Sequence, residues 1–254
     1  MTPGDAQGTS SAAAHSSGTG AGFAPTRWTW VMGVRSSDTP VVREALEALC
    51  RAYWKPVYAF VRRRGHTSHE AQDLTQEFFA RLLAGDGLRR ADPEKGRFRT
   101  FLLSAVKHFL ANEWDKAHSL KRGGDREFVP VRIGEDTDAV GVEPAGGQDP
   151  ERAYDRQWAL SVLDRVLARL EREHVDEGKG RVFAALQSTL TVGRADVPYA
   201  VVAATLGTSE GAVKVMVHRL RQRYRKVLRE EVAATLEDSS RAEDELRQLF
   251  AALS

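Results

Sequence analysis

The sequence predicts an all-α fold of two helical domains joined by a long acidic linker. Three observations predict it. Apolar residues recur at three- and four-residue steps through most of the chain. Between residues 121 and 150 that period stops, and Gly, Pro and acidic residues take over. Near Gly207 two helical segments meet at a sharp turn, with the small Ala203 four residues earlier.

Composition bounds the possibilities. The chain has 254 residues, enough for one or two domains. Its 42% hydrophobic and 28% charged content is that of an ordinary soluble protein. No run of about 18 apolar residues is present, so no transmembrane helix is expected. The N-terminus lacks the basic start and apolar core of a signal peptide. A single cysteine, Cys50, excludes an internal disulfide and a multi-cysteine zinc site, and a reduced, cytoplasmic setting follows. The overall charge of +2 says little, but its distribution is uneven. Arg51 to Arg126 carries 16 basic and 9 acidic residues, and Gly207 to Arg229 carries 7 and 1. Ile133 to Glu151, between them, has six acids and no base. Two basic blocks around an acidic connector suggest two surfaces that face a polyanion.

Residues 1–24 are Gly, Ala, Ser and Thr with almost no large apolar side chain, so a disordered segment is expected there. The first domain spans 25–120, and Trp28, Trp30 and Val31 can join its core. In its first helix Val42, Leu46, Leu49, Tyr53, Val57 and Phe60 form an apolar ladder. Pro56 should kink or divide that helix, and Gly65 should end it. A second helix starts at Thr67 or Ser68, with Glu70 placed for a capping box, and closes at Gly85. The third begins at Phe98. The linker, 121–150, is too long for a connection inside one compact domain. It includes "FVPVRI", a short extended piece at most. The second domain, 151–236, opens with a helix whose stripe is Trp158, Val162, Leu163, Val166, Leu167 and Leu170. A last helix, 237–254, is predicted from a Ser240–Glu243 capping box and a stripe of Leu246, Leu249, Phe250 and Leu253.

The segment from Pro198 to Leu228 has the form of a helix-turn-helix. Pro198 suits the first turn of one helix. Gly207 accepts the positive φ of the turn. Ser209 caps the next helix, and Val202, Leu206, Val213 and Met216 form the small core between the two. On the opposite face lie Gly211, Lys214, Val215, His218, Arg219 and Gln222. The start of such a recognition helix reaches base edges. Ser209, Glu210, Gly211, Lys214, Val215, His218, Arg219 and Arg221 are therefore the candidate DNA contacts. Lys214 can donate to guanine, Glu210 can accept from cytosine, and Val215 fits a thymine methyl. Arg221, Arg223, Arg225 and Lys226 suit phosphates.

Upstream, "AQDLTQEFFARLL" (71–83) resembles the acidic helix of region 2 in bacterial RNA polymerase sigma factors, closest to the extracytoplasmic-function group. "RFRTFLLSAVKHFLANEWDKAHSLKR" looks like the strand-opening helix that follows it, and "GAVKVMVHRLRQRYRKVL" looks like region 4. The resemblance implies that Asp73, Gln76 and Glu77 dock on core polymerase. It implies that Arg97, Arg99, Lys107, His108, Asn112, Trp114 and Lys116 serve the minus-ten element, and that the helix-turn-helix reads the minus-thirty-five element. Aromatics in that third helix can stack on an extruded base. Core RNA polymerase and promoter DNA are the implied partners, and an anti-sigma factor or Ser/Thr kinase is a further one.

The sequence departs from the family pattern in places. Gln72 stands where the family usually has Glu. Thr67, Ser68 and Thr75 lie nearby, and phosphorylation of one of them is a way to restore the charge. His108 and Asn112 replace the usual Asn and Asp, and Met216 fills a slot often held by Arg. His66, His69 and Asp73 have no further ligand cluster nearby, so no metal is expected. No phosphate-binding glycine loop, nucleophile elbow or HExxH motif is present, so neither an enzyme nor a cofactor is expected. The alternative is a stand-alone helix-turn-helix regulator that binds DNA without polymerase.

Overall fold

The structure, a computed structural model, describes residues 40–84, 88, 97–120, 149–190, 198–236 and 238–254. The expectations for 1–24, for Trp28, Trp30 and Val31, for Gly85 and for nearly all of the linker lie outside these residues. Every described element is helical, in line with the all-α expectation. In chain order the α-helices are α1 (Pro40–Arg63), α2 (Ser68–Ala84), α3 (Phe98–Leu120), α4 (Pro150–Asp176) and α5 (Gly180–Leu186). They continue with α6 (Tyr199–Leu206), α7 (Glu210–Ala233) and α8 (Ala242–Leu253). Short 3-10 turns at Gln187–Leu190 and Ser239–Arg241 follow α5 and precede α8.

α1 contains Pro56 yet runs unbroken from Pro40 to Arg63, so the expected division does not occur. Proline removes one backbone hydrogen bond. Tyr53, Val57, Phe60 and Val61, on either side of it, are all almost fully buried. Each such side chain contributes about 1.5–3 kcal/mol on burial, which outweighs the loss. α1 ends as expected at Gly65, whose φ is +96°. The α2 start is a reciprocal cap: the Glu70 carboxylate accepts from the Thr67 N–H at 2.8 Å, and the Thr67 hydroxyl accepts from the Glu70 N–H at 3.3 Å.

α4 organises the rest. Tyr154, Trp158, Val162, Val166 and Leu170 fall one turn apart and are completely buried. The helix lies along α1 and also packs against α7, α8 and α5. One connected core therefore runs through both helical blocks, from Leu49 to Leu249. Tyr53 of α1 meets Phe98 of α3 edge to face, with ring centres 5.4 Å apart. The Tyr154 hydroxyl donates to the Arg99 carbonyl at 3.0 Å, which fixes the start of α3 to α4. Between α4 and α7 the contact is partly ionic. Arg169 donates to Glu230 at 2.6 Å and Glu231 at 3.3 Å, and Arg223 donates to Glu173 at 2.6 Å.

The α8 start differs from the sequence expectation. Asp238, not a Ser240–Glu243 box, makes the cap: its carboxylate accepts from the Ser240 N–H at 2.9 Å. Asp238 thus caps the 3-10 turn, and Ser240 lies one residue before Arg241, which holds the α8 cap position without a side-chain cap bond. Phe250 is 54% exposed, so it does not belong to the buried stripe. The buried positions of α8 are Ala242, Glu245 and Leu249.

Trp158→Ala should be the most damaging single truncation of this core. We expect a loss of about 3–5 kcal/mol, seen as a lower urea midpoint with the same cooperative transition. A Trp158→Ala midpoint within error of the parent would refute the central role given to α4.

Candidate nucleic-acid interface

α6 and α7 meet at 99° across a short break, within the range of a helix-turn-helix. Three local features build the turn. Pro198 occupies the cap position just before α6, one residue earlier than expected. Gly207 adopts φ +64°, ψ +39°, the left-handed region, and its N–H closes onto the Ala203 and Ala204 carbonyls. Ser209 is extended, and its hydroxyl accepts from the Ala212 N–H at 3.2 Å. Val202, Ala203, Val213, Val217 and Leu220 are buried between α6, α7 and their neighbours.

The outer face of α7 is as the periodicity predicts. Ser209, Glu210, Gly211, Lys214, Val215, His218, Arg219, Arg221 and Gln222 are all exposed. Val215 is 49% exposed, an apolar side chain on a basic face. Two of the arginines assigned to phosphates have protein partners. Arg221 donates to the Thr189 carbonyl at 3.0 Å, and Arg223 is held by Glu173.

α3 divides into two halves. Its C-terminal half exposes His108, Asn112, Trp114 and Lys116 on the outside, with Trp114 62% exposed. Lys116 lies 3.0 Å from Glu113. Phe98 and Phe109 are core and Phe101 is half-buried, so three of the four aromatics serve packing first. Its N-terminal half is occupied from within the chain. The Arg97 Nε lies 2.7 Å from the Glu245 carboxylate. Arg99 is only 8% exposed and donates to Glu245 at 2.7 Å. It also reaches Asp155 and Gln248, and its guanidinium lies 4.5 Å from the Trp158 ring centre. Lys107 pairs with Glu151. Burial opposes the Arg99 charge, but the Glu245 and Asp155 carboxylates outweigh it and hold its pKa above the ordinary value.

On α2 the three residues assigned to docking lie on one side. Asp73 is exposed and pairs with His69 at 3.0 Å, while Gln76 and Glu77 are half-buried. Glu77 pairs with Arg81, which also reaches Glu113 of α3 at 2.5 Å. Phe78 is buried and Leu74 packs against the core, as expected. Of the three hydroxyls considered for phosphorylation, Thr67 and Ser68 are exposed. Thr75 is fully buried and donates to the Ala71 carbonyl at 2.6 Å, so no kinase reaches it in this conformation. Cys50 is also buried; burial pushes its thiol up to about 12, too high for a nucleophile at neutral pH. No group of His, Cys, Asp and Glu suited to a metal occurs among the described residues. No single described helix is long and apolar enough to cross a membrane.

Glu245, Gln248, Asp155 and Tyr154 are the residues that sequence reasoning missed around α3. A signal existed for one of them. Glu245 sits three residues after Ala242 and four before Leu249, in the register of the apolar stripe, where a lone carboxylate needs a partner.

Comparison with known proteins finds two similarities. Residues 49–119, which run from α1 through α3, match the model of sigma-70 region 2. The RNA polymerase sigma factor YlaC of Bacillus subtilis (strain 168) is 24% identical over 185 residues. That alignment covers 72% of this chain and 92% of the relative. The chain is thus similar to sigma-70 region 2 over 49–119, and to an RNA polymerase sigma factor over most of its length. No solved structure matches it.

The turn between α6 and α7 is open to a simple test. A Cβ added at Gly207 would touch nothing within 4 Å. Gly207→Ala should therefore cost only the left-handed backbone penalty, about 1–2 kcal/mol. Ser209→Ala should cost about 1 kcal/mol through the lost cap. Thermal melts by circular dichroism measure both. A Gly207→Ala protein as stable as the parent would exclude the left-handed turn.

Proposed function

We propose that this protein is a sigma factor that binds core RNA polymerase through α2 and directs it to promoters read by α3 and by the helix-turn-helix. Residues 25–120 act as region 2, 151–236 act as region 4, and 121–150 connect them. Asp73, Gln76 and Glu77 meet basic side chains of the polymerase; Asp73 and Glu77 are one helical turn apart and share a face. The observation that carries this reading is the region 2 match over 49–119, which includes this acidic helix. The setting is the cytoplasm, where polymerase and promoter are found.

In the proposed region 4, the exposed start of α7 enters the major groove at a minus-thirty-five element. Lys214 and Val215 are neighbours, His218 follows about one turn later on that face, and Glu210, Gly211 and Arg219 flank them. Arg221, Arg225 and Lys226 lie further along and contribute attraction to phosphate that weakens with salt. In region 2, Trp114 stacks on a base taken out of the duplex, with His108, Asn112 and Lys116 beside it. Arg97, Arg99 and Lys107 hold the backbone once they are released from their carboxylate partners.

The deciding experiment is co-purification with core polymerase followed by transcription in vitro on genomic DNA, with start sites mapped. We expect a stable complex and starts that depend on the added protein. Tight binding to duplex promoter DNA with no affinity for core would instead identify a stand-alone regulator.

Val215→Ser should lose discrimination at one thymine, about 1–3 kcal/mol, while its salt dependence stays as in the parent. Competition binding with promoter duplexes changed at single positions measures it. An unchanged promoter preference would remove Val215 from the base-reading set.

A further inference from the structure

The C-terminal helix α8 buries a carboxylate where an apolar residue would pack. Glu245 is 1% exposed. One of its oxygens accepts from Arg99 Nε at 2.7 Å, and the other lies 2.7 Å from Arg97 Nε. Gln248, on the same side of α8, accepts from both arginines. Glu243 reaches Arg229 of α7. α8 thus touches the start of α3 and the basic helix α7 at once.

We propose that α8 is an autoinhibitory latch: Glu245 and Gln248 occupy Arg97 and Arg99 and keep them from other anions. The proposal rests on the reading in which those arginines hold promoter phosphates. A carboxylate and a phosphate ask for the same guanidinium donors in the same fork geometry, so one site serves only one of them at a time. At 8% exposure Arg99 cannot reach a backbone phosphate while α8 is seated. The tethered carboxylate acts at an effective concentration in the millimolar range, which excludes weakly held nucleic acid. The latch is also releasable. Desolvating a buried ion pair offsets most of its Coulomb attraction, so the closed form is specific without being deeply stable. With α8 released, Arg97 sheds both Glu245 and Gln248, while Arg99 keeps only Asp155 and the Trp158 ring.

The test uses the full chain, labelled with a fluorophore pair at Ser104→Cys on α3 and Ala251→Cys on α8, both exposed positions. Cys50 is buried and stays unlabelled in the folded protein. Glu245→Gln keeps the shape of the side chain and removes its charge. We expect lower energy transfer and affinity for a single-stranded DNA 20-mer raised by about tenfold, an ordinary size for a coupling between sites. Adding Arg99→Ala to Glu245→Gln should abolish the gain. Gln248→Ala, at an exposed position, should give a smaller change of the same sign and serves if Glu245→Gln does not fold. Unchanged energy transfer and affinity in a well-folded variant would make α8 a fixed part of the structure and overturn the latch. Opening without any gain in DNA affinity would overturn it equally, because the freed arginines would then not be what α8 withholds. A protein that behaves as expected here but fails to bind core polymerase would keep the latch and lose the sigma reading.

Discussion

The guanidinium of Arg99 is the point on which the arrangement of helices depends. It belongs to α3, pairs with Asp155 of α4 and Glu245 of α8, and lies over the ring of Trp158. Removing such a group from water is expensive, and its cost is offset only when the donors are filled. Here the two carboxylates and Gln248 fill them, and the aromatic face covers the plane. The start of α3 is fixed in direction by this, and the Tyr154 hydroxyl fixes its backbone as well. α4 must then lie along α1 with Trp158 inward. Everything that packs on α4, including α7 with its outer basic face, takes its place from that choice.

The same accounting of charge separates what holds the molecule together from what faces outward. Arg169, Arg223 and Arg229 are each engaged by a glutamate of the chain. Lys214, His218 and Arg219 stand on the far side of α7, with the apolar Val215 among them. On the proposed function, an exposed valine there is placed to meet a base edge. The basic half of α7 therefore has two faces: one is held to α4 by ion pairs, and on the proposed function the other meets nucleic acid.

Local features were legible in the sequence. The helix-turn-helix turn needs Gly207 for its φ, Ser209 for its cap and Ala203 for close approach, and all of these act within a few residues of one another. The Thr67–Glu70 cap was legible for the same reason. Long-range choices were not. Arg99 looked like a free phosphate contact because its partner Glu245 lies 146 residues away. Pro56 looked like a break because propensity is local, whereas the packing of Tyr53, Val57 and Phe60 that keeps α1 continuous is not. The side-chain cap before α8 falls at Asp238, two residues before Ser240, because a 3-10 turn precedes the α-helix, a shift that sequence patterns do not resolve.

The closed arrangement covers the candidate surfaces unequally, and that inequality has a consequence for order of events. Asp73 on α2 and the outer face of α7 are exposed with α8 in place. Arg97 and Arg99 alone, among the residues assigned to DNA, have α8 as their partner. On the proposed function, polymerase can therefore dock on α2 before anything opens. Any polymerase contact that favours release of α8 then shifts the equilibrium toward the open form by its differential affinity, and by no more than that. The arginines would be exposed only where the polymerase already is, so that phosphate is captured at a promoter and not on bulk DNA.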